Sequence, residues 1–211
     1  MSENAYLLYS QFGEDLVMDL IFCDHRKPGF YFDIVAHDSQ RFSNTQLSYK
    51  RGWRAINRED DKNIIEVFKL ARSENISIST LLSHKVDALK FNWFSEAAVK
   101  RTSDQKSSKY SLQRPIVSSK QITPRRLQDV LSDHVSPHRQ IDCLSVDVEG
   151  ADFQVLKGND SERFKPDILI VEGDGQDLMN AGAHPSVAYL AGQGYRLKHV
   201  IHVSASFIRQ G

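Results

Sequence analysis

From residue 30 onward the chain alternates short apolar runs with segments of helical period, and four of the runs stop on acids. Tyr31 to Val35 reads as a buried strand, closed by Asp33 and the following His37-Asp38. Trp53 to Asn57 is a second, ending at Glu59 and Asp60, and "ISISTLL", Ile76 to Leu82, is a third. "IDCLSVDVEG" ends at Asp147 and Glu149, and "PDILIVEGDG" at Glu172 and Asp174. Strands alternating with helices predict a doubly wound, mainly parallel sheet. "YRLKHVIHVSASFIR" carries no helix between its two halves, which predicts an antiparallel C-terminal edge.

The intervening segments supply the helices. Leu16, Val17, Leu20 and Ile21 stand at helical spacing within Gln11 to Cys23, and Pro28-Gly29 stops that segment. Ser43 or Asn44 caps a short helix ending near Gly52, and Asp60 or Asp61 caps the next, whose apolar face is Ile64, Ile65, Phe68 and Leu70 or Ala71. Thr123-Pro124 opens a helix through Leu131, "DFQVLKG" is a helix closed by Gly158, and Pro185 opens another to about Ala191. "DALKFNWF" is expected as a further edge strand. Residues 102–120 are rich in Ser and Lys without a period, and are expected as a mobile loop or lid. The 211 residues thus make one domain, with residues 1–27 as an N-terminal helical segment.

Composition narrows the partners. Lys plus Arg is 27 and Asp plus Glu is 27, so bulk charge gives no support for a phosphate-backbone binder. A local basic patch from Arg51, Arg54, Lys120, Arg125 and Arg126 is the one route to nucleic acid. Cys23 and Cys143 lie among apolar neighbours and read as buried free thiols of a reducing compartment. No apolar run reaches the length of a membrane span, and the first ten residues do not form a signal peptide. The expected location is the cytoplasm.

In doubly wound sheets ligands bind beyond the carboxyl ends of the strands. The acids at those ends are therefore the candidate site. Asp60 and Asp61 are ordinary helix caps. Glu59, ending the second strand, suits a bidentate bond to the two ribose hydroxyls of a nucleoside cofactor. Of Asp147 and Glu149, one can cap the following helix while the other faces the crevice. Asp147 with Glu172 and Asp174 is the alternative oxygen-ligand set for a divalent ion, ranked below a metal-free site. The eight histidines show no ligand spacing, and His37 alone sits in the loop after the first strand. Trp53 and Phe68 are expected in the core. No Walker loop, zinc box or nucleophile elbow is present.

Several of these segments together resemble the FkbM-type methyltransferase family. "YSQFGEDLVMDLIF" is similar to its N-terminal signature, and "GFYFDIVAHDSQRFSNTQLSYKRGWRAIN" to its first strand, cofactor loop and following helix. "IDCLSVDVEGADFQVLKG" and "PDILIVEG" are similar to its fourth and fifth strands, so the likeness runs through residues 9–175 in the family's order. The resemblance implies a Rossmann-like class I fold using S-adenosylmethionine, for O-methylation of a sugar or other small hydroxylated molecule.

Under this resemblance, Gln11, Gly13 and Glu14 line the cofactor end of the pocket. Asp33, Val35, Ala36, His37 and Asp38 form the loop near the methionine moiety, with Ser43, Asn44 and Thr45 opening the helix beside it. Glu59 holds the ribose and Ser83 lies near the adenine. Asp147 and Glu149 lie between cofactor and acceptor as catalytic carboxylates.

The chain departs from the family in two places. Val35 stands where the loop usually carries Gly, and Ser145 where many members carry Lys. Val35 is the basis for an alternative reading as a degenerate, non-catalytic binding domain. The basic residues are the basis for another, a nucleic-acid methyltransferase. The segment between about Asp87 and Ile122, from which an acceptor pocket would be built, matches nothing in the family.

Overall fold

The computed structural model describes residues 7–22, 27–34, 38–94, 101–103, 116–148, 151–173 and 185–210. Five parallel strands form the centre of the main sheet: β1 (Phe30–Ile34), β2 (Arg54–Glu59), β3 (Ile76–Ser79), β7 (Cys143–Val146) and β8 (Ile168–Glu172). β9 (Tyr195–Ile201) and β10 (Ser204–Arg209) complete seven strands in the order β3-β2-β1-β7-β8-β10-β9. β10 runs antiparallel to both neighbours, so it lies between β8 and β9. This is the expected doubly wound sheet, with antiparallel pairing at its C-terminal side.

β1 is buried along its whole length because side chains on both faces of the sheet are covered. Phe30, Phe32 and Ile34 point into one core with Ile56, Leu144, Leu169 and Phe207. That core is capped by α4 (Leu127–His134) and α5 (Asp152–Leu156), through Leu127, Val130, Leu131, Val155 and Leu156. Tyr31, one residue out of phase, joins the opposite core of Met18, Phe22, Trp53, Ala55, Cys143, Ile168 and Ile170. Met18 belongs to α1 (Glu14–Ile21), which packs against α2 (Gln46–Lys50). α3 (Lys62–Ala71) covers β2 and β3 with Ile65 and Phe68, and α6 (Pro185–Gly192) packs on β9. Trp53 and Phe68 are buried, as expected, and Cys143 is a buried free thiol; Cys23 lies outside the described residues.

Several boundaries differ from the sequence reading. The second strand starts at Arg54 and continues through Glu59, which carries that carboxylate inside the sheet. The third stops at Ser79, and Leu82 forms an isolated parallel bridge with Arg125. That bridge uses the backbone around Pro124, so the following helix begins at Leu127, not at the Thr123-Pro124 step. β4 (Leu89–Phe94) is no edge of the main sheet. It is the central strand of a second, three-stranded antiparallel sheet with β5 (Arg101–Ser103) and β6 (Ile116–Ile122).

The expected loop over 102–120 therefore begins and ends in strand; its middle, 104–115, lies outside the described residues. Pairing with β4 supplies the backbone hydrogen bonds that the Ser- and Lys-rich composition of β6 did not announce. Among the described residues no helix is long and apolar enough to cross a membrane.

Candidate active site

The parallel register brings the acids together. Ile34 stands opposite Val146, and Val146 opposite Val171, so the next residues along, Asp147 and Glu172, meet at one level. Their carboxyl groups lie close enough for the Glu172 carboxyl to favour the protonated form of Asp147. The Asp147 amide donates to the Ile34 carbonyl at 3.2 Å, holding this corner against the end of β1. Burial pushes the Asp147 carboxyl well above its ordinary range. The neighbouring Glu172 carboxyl and the negative charges of Asp33 and Glu14 push it further.

Glu14 reaches the same corner from the first turn of α1. Gly13 precedes it at φ +104°, a conformation that glycine takes without a β-carbon clash. The buried Glu14 carboxylate accepts from the Phe12 amide at 3.0 Å and from the Ser204 hydroxyl at 2.9 Å. Gln11 beside it is exposed.

Asp33 is buried at the end of β1 and accepts from the Thr45 hydroxyl at 2.5 Å. Burial raises its proton affinity, while the Arg72 guanidinium and the Thr45 bond oppose that rise. Asn44 donates its side-chain amide to the Ser145 hydroxyl at 3.4 Å, tying the start of α2 to β7. The N-cap of α2 is Thr45, beyond the expected Ser43 or Asn44. Ser43 is buried and its amide donates to the Tyr9 carbonyl at 2.9 Å. Asp38 is exposed and takes the amides of Gln40 (2.8 Å) and Arg41 (3.0 Å), an Asx-type turn.

Glu59 is fully buried at the end of β2, and one carboxylate oxygen accepts the amides of Asp60 (2.8 Å) and Asp61 (3.2 Å). Asp61 caps α3 through the Asn63 amide at 2.9 Å, the bland role expected for it. Ser83 is half-buried; its amide donates to the Arg125 carbonyl at 2.9 Å, and its hydroxyl accepts from the Lys85 amide at 3.3 Å. Thus Glu14, Asp33, Asp147 and Glu172 interact at one corner, with Asn44 and Thr45 beside them and Glu59 one strand further on. Val35, Ala36, His37, Glu149 and Asp174 lie outside the described residues. Among the described residues no three His, Cys, Asp or Glu side chains are grouped to hold a metal ion.

One residue escaped the sequence reading. Arg72, at the C-terminal end of α3, is fully buried and bonds the segment that carries Ser43 and Thr45. A lone arginine in the last turn of an amphipathic helix reads as a solvated charge facing the helix dipole. No local signal distinguishes it.

The family described as the methyltransferase FkbM domain matches residues 33–197. Among solved structures, the chain is similar to fibrillarin of Aeropyrum pernix, described in complex with natively bound S-adenosyl-L-methionine. The TM-score is 0.46 and the identity 10%, over 98% of this chain and 84% of that one. No curated protein matches the chain. With the family match spanning most of its length, from Asp33 at the end of β1 into β9, this chain belongs to the FkbM methyltransferase domain family, whose methyl donor is S-adenosylmethionine.

Proposed function

We propose that this methyltransferase places its methyl group on a hydroxyl of a sugar or other small hydroxylated molecule, in the cytoplasm. The observation that carries the proposal is the Asp147–Glu172 carboxyl pair at the ends of β7 and β8. A hydroxyl must lose its proton as it attacks, and a carboxylate with raised proton affinity is a stronger acceptor for that proton than an ordinary one. The pair can also orient the hydroxyl, since a protonated carboxyl donates and an ionised one accepts.

The donor set suits the cofactor. S-adenosylmethionine supplies an electrophilic methyl on a sulfonium and also carries a cationic ammonium. Glu14, Asp33 and Glu172 gather negative charge around Asp147, and a bound positive charge would offset it. The position of Glu59 at the end of β2, the next strand, supports its reading as the ribose-binding carboxylate.

A nucleic-acid acceptor has less support. Three of the candidate basic residues already face acids: Arg51 pairs with Asp19, Arg54 with Glu74 at 2.5 Å, and Arg125 with Asp133 at 2.6 Å. The test is to incubate the protein with methyl-labelled S-adenosylmethionine and a panel of hexoses, deoxyhexoses, their glycosides, and RNA and DNA fragments. The expected product is an O-methyl sugar, identified by NMR. Label found only in nucleic acid, or in no acceptor of the panel, counts against this reading.

A further inference from the structure

Arg72 is the most completely enclosed cation among the described residues, at 0% exposure, and its hydrogen bonds join separate segments. Nε and Nη2 donate to the Ser39 carbonyl at 3.2 and 2.8 Å, and Nη2 also donates to the Ser43 hydroxyl at 2.8 Å. Nη1 donates to the Thr45 hydroxyl at 2.8 Å and the Tyr31 hydroxyl at 3.1 Å, with Asn57 Oδ1 at 3.4 Å. The same nitrogen lies 3.9 Å from Asp33 Oδ2. The rings of Phe68 and Tyr49 lie 5.0 and 5.7 Å from the guanidinium carbon.

The fork therefore ties two segments of the chain together. On one side it holds β1, donating to Tyr31 and lying beside Asp33. On the other it holds Ser39, Ser43 and Thr45, which lead into α2. Only a planar guanidinium with several fixed donors reaches these acceptors at once; an ammonium offers one compact charge. The segment so held is not relaxed. Phe42 has φ +54°, in the left-handed region that side chains with a β-carbon disfavour, and such a residue persists where its surroundings over-determine it. Its neighbours are fixed by Arg72 through Ser39 and Ser43, and by Tyr9 through the Ser43 amide.

We infer that Arg72 is a positioning residue for cofactor binding: it sets the end of β1 and the Ser39–Thr45 segment at the separation that S-adenosylmethionine requires. The inference rests on the assignment of this corner as the cofactor's site. A buried charge is costly unless fully paired. Here the pairing joins two pieces of backbone rather than filling space, and an apolar side chain of similar length would fill the same volume without making those bonds.

Calorimetry with S-adenosylhomocysteine tests this without needing the acceptor. Arg72→Met keeps the apolar stem and removes the fork. It is expected to bind at least tenfold more weakly than wild type. In turnover assays the KM for S-adenosylmethionine should rise tenfold while kcat changes less than threefold. Should Arg72→Met not fold, Arg72→Lys retains the charge and enters a double-mutant cycle with Ser43→Ala, read in S-adenosylhomocysteine affinity. A coupling of threefold or more supports the inference, and additive effects overturn it. A folded Arg72→Met protein that binds within twofold of wild type overturns it as well. Wild type that binds neither S-adenosylmethionine nor S-adenosylhomocysteine overturns the cofactor site itself, and that outcome is distinct from the others.

Discussion

Asp147 and Glu172 face each other, carboxyl to carboxyl, at the adjoining ends of β7 and β8. Burial and the neighbouring Glu172 carboxyl both raise the proton affinity of Asp147. Three predictions concern this corner and the cofactor beside it, and a fourth and fifth concern the loop and the strand that lead to it.

Asp147 binds a proton in the folded chain more tightly than at its ordinary value of 3.8. Its contribution to stability is therefore full below the unfolded carboxyl range and is lost as pH rises through the raised value. Asp147→Asn keeps the shape and cannot ionise. In the absence of cofactor it should melt at a higher temperature than wild type at pH 7, by about 2–4 °C for each kcal/mol recovered in a chain of this length. The advantage should vanish as pH falls below about 4, where model carboxyls are protonated. Calorimetric melts across that range check it; a mutant less stable than wild type at pH 7 contradicts it.

The same substitution should remove catalysis. Loss of a positioned general base typically costs about 10²–10⁴ in rate. Methyl transfer by Asp147→Asn is expected to fall by roughly that factor while the protein stays folded. Transfer by wild type should rise with pH through the raised proton affinity of the pair. The check is a pH profile of kcat/KM for both proteins. A mutant with full transfer would remove Asp147 from the mechanism and leave Glu149 as the catalytic candidate.

Glu59→Ala should weaken S-adenosylmethionine binding by about 1.5–3 kcal/mol, the range for a hydrogen bond to a charged group. Its carboxylate also holds the Asp60 and Asp61 amides, so a circular dichroism melt must accompany the titration. Unchanged affinity in a folded mutant defeats the ribose assignment.

By its resemblance to the family, Val35 occupies the loop position at which a Gly is usual. A residue with a β-carbon pays roughly 1–2 kcal/mol in the left-handed region. Val35→Gly should therefore tighten S-adenosylmethionine binding, despite the entropy cost of a glycine in a loop. Side-by-side titration decides it: tight binding by wild type with no gain from glycine means that valine is accommodated.

Gly29 precedes β1 under the Trp53 ring. A β-carbon there would lie 2.7 Å from Trp53 Cζ3 and 2.8 Å from Asp142 Oδ2. The indole cannot retreat, because it packs edge-on against Phe22 with ring centroids 4.8 Å apart. Asp142 is held too, accepting from the Phe30 amide at 2.6 Å. Gly29→Ala should cost about 1–3 kcal/mol, the usual price of overpacking. Urea denaturation measures it, and a loss under about 0.5 kcal/mol would mean the tryptophan moves freely.

What could be read in advance followed from local pattern. Tyr31, Ile56 and Ile170 lie in apolar runs that reveal buried strands, and Asp61 sits where a helix must be capped. Glu59 and Asp147 could be placed because a strand's carboxyl end is visible as the point where apolar residues give way to acids. Arg72 could not, since its partners Tyr31, Ser39 and Thr45 are 27 to 41 residues away along the chain. β6 was hidden for a related reason: "IVSSKQI" becomes a strand by pairing with β4, and its exposed Ser118, Ser119 and Lys120 carry the composition of a loop. Contacts that depend on two distant segments meeting leave little trace in either one.

The interior position of β10 has a consequence for biosynthesis. β9 leaves the ribosome first, yet it joins the sheet only through β10, which pairs with both β8 and β9. Until residues 204–209 emerge, the nascent chain holds the apolar edge of Ile168–Glu172 open, an invitation to chaperones or to wrong pairing. The same late strand brings Ser204 to Glu14, a hydrogen bond between residues 190 positions apart. The segments around Glu14 and Ser204 thus close this corner together, and a translation arrest before Ser204 would leave a chain without that hydrogen bond.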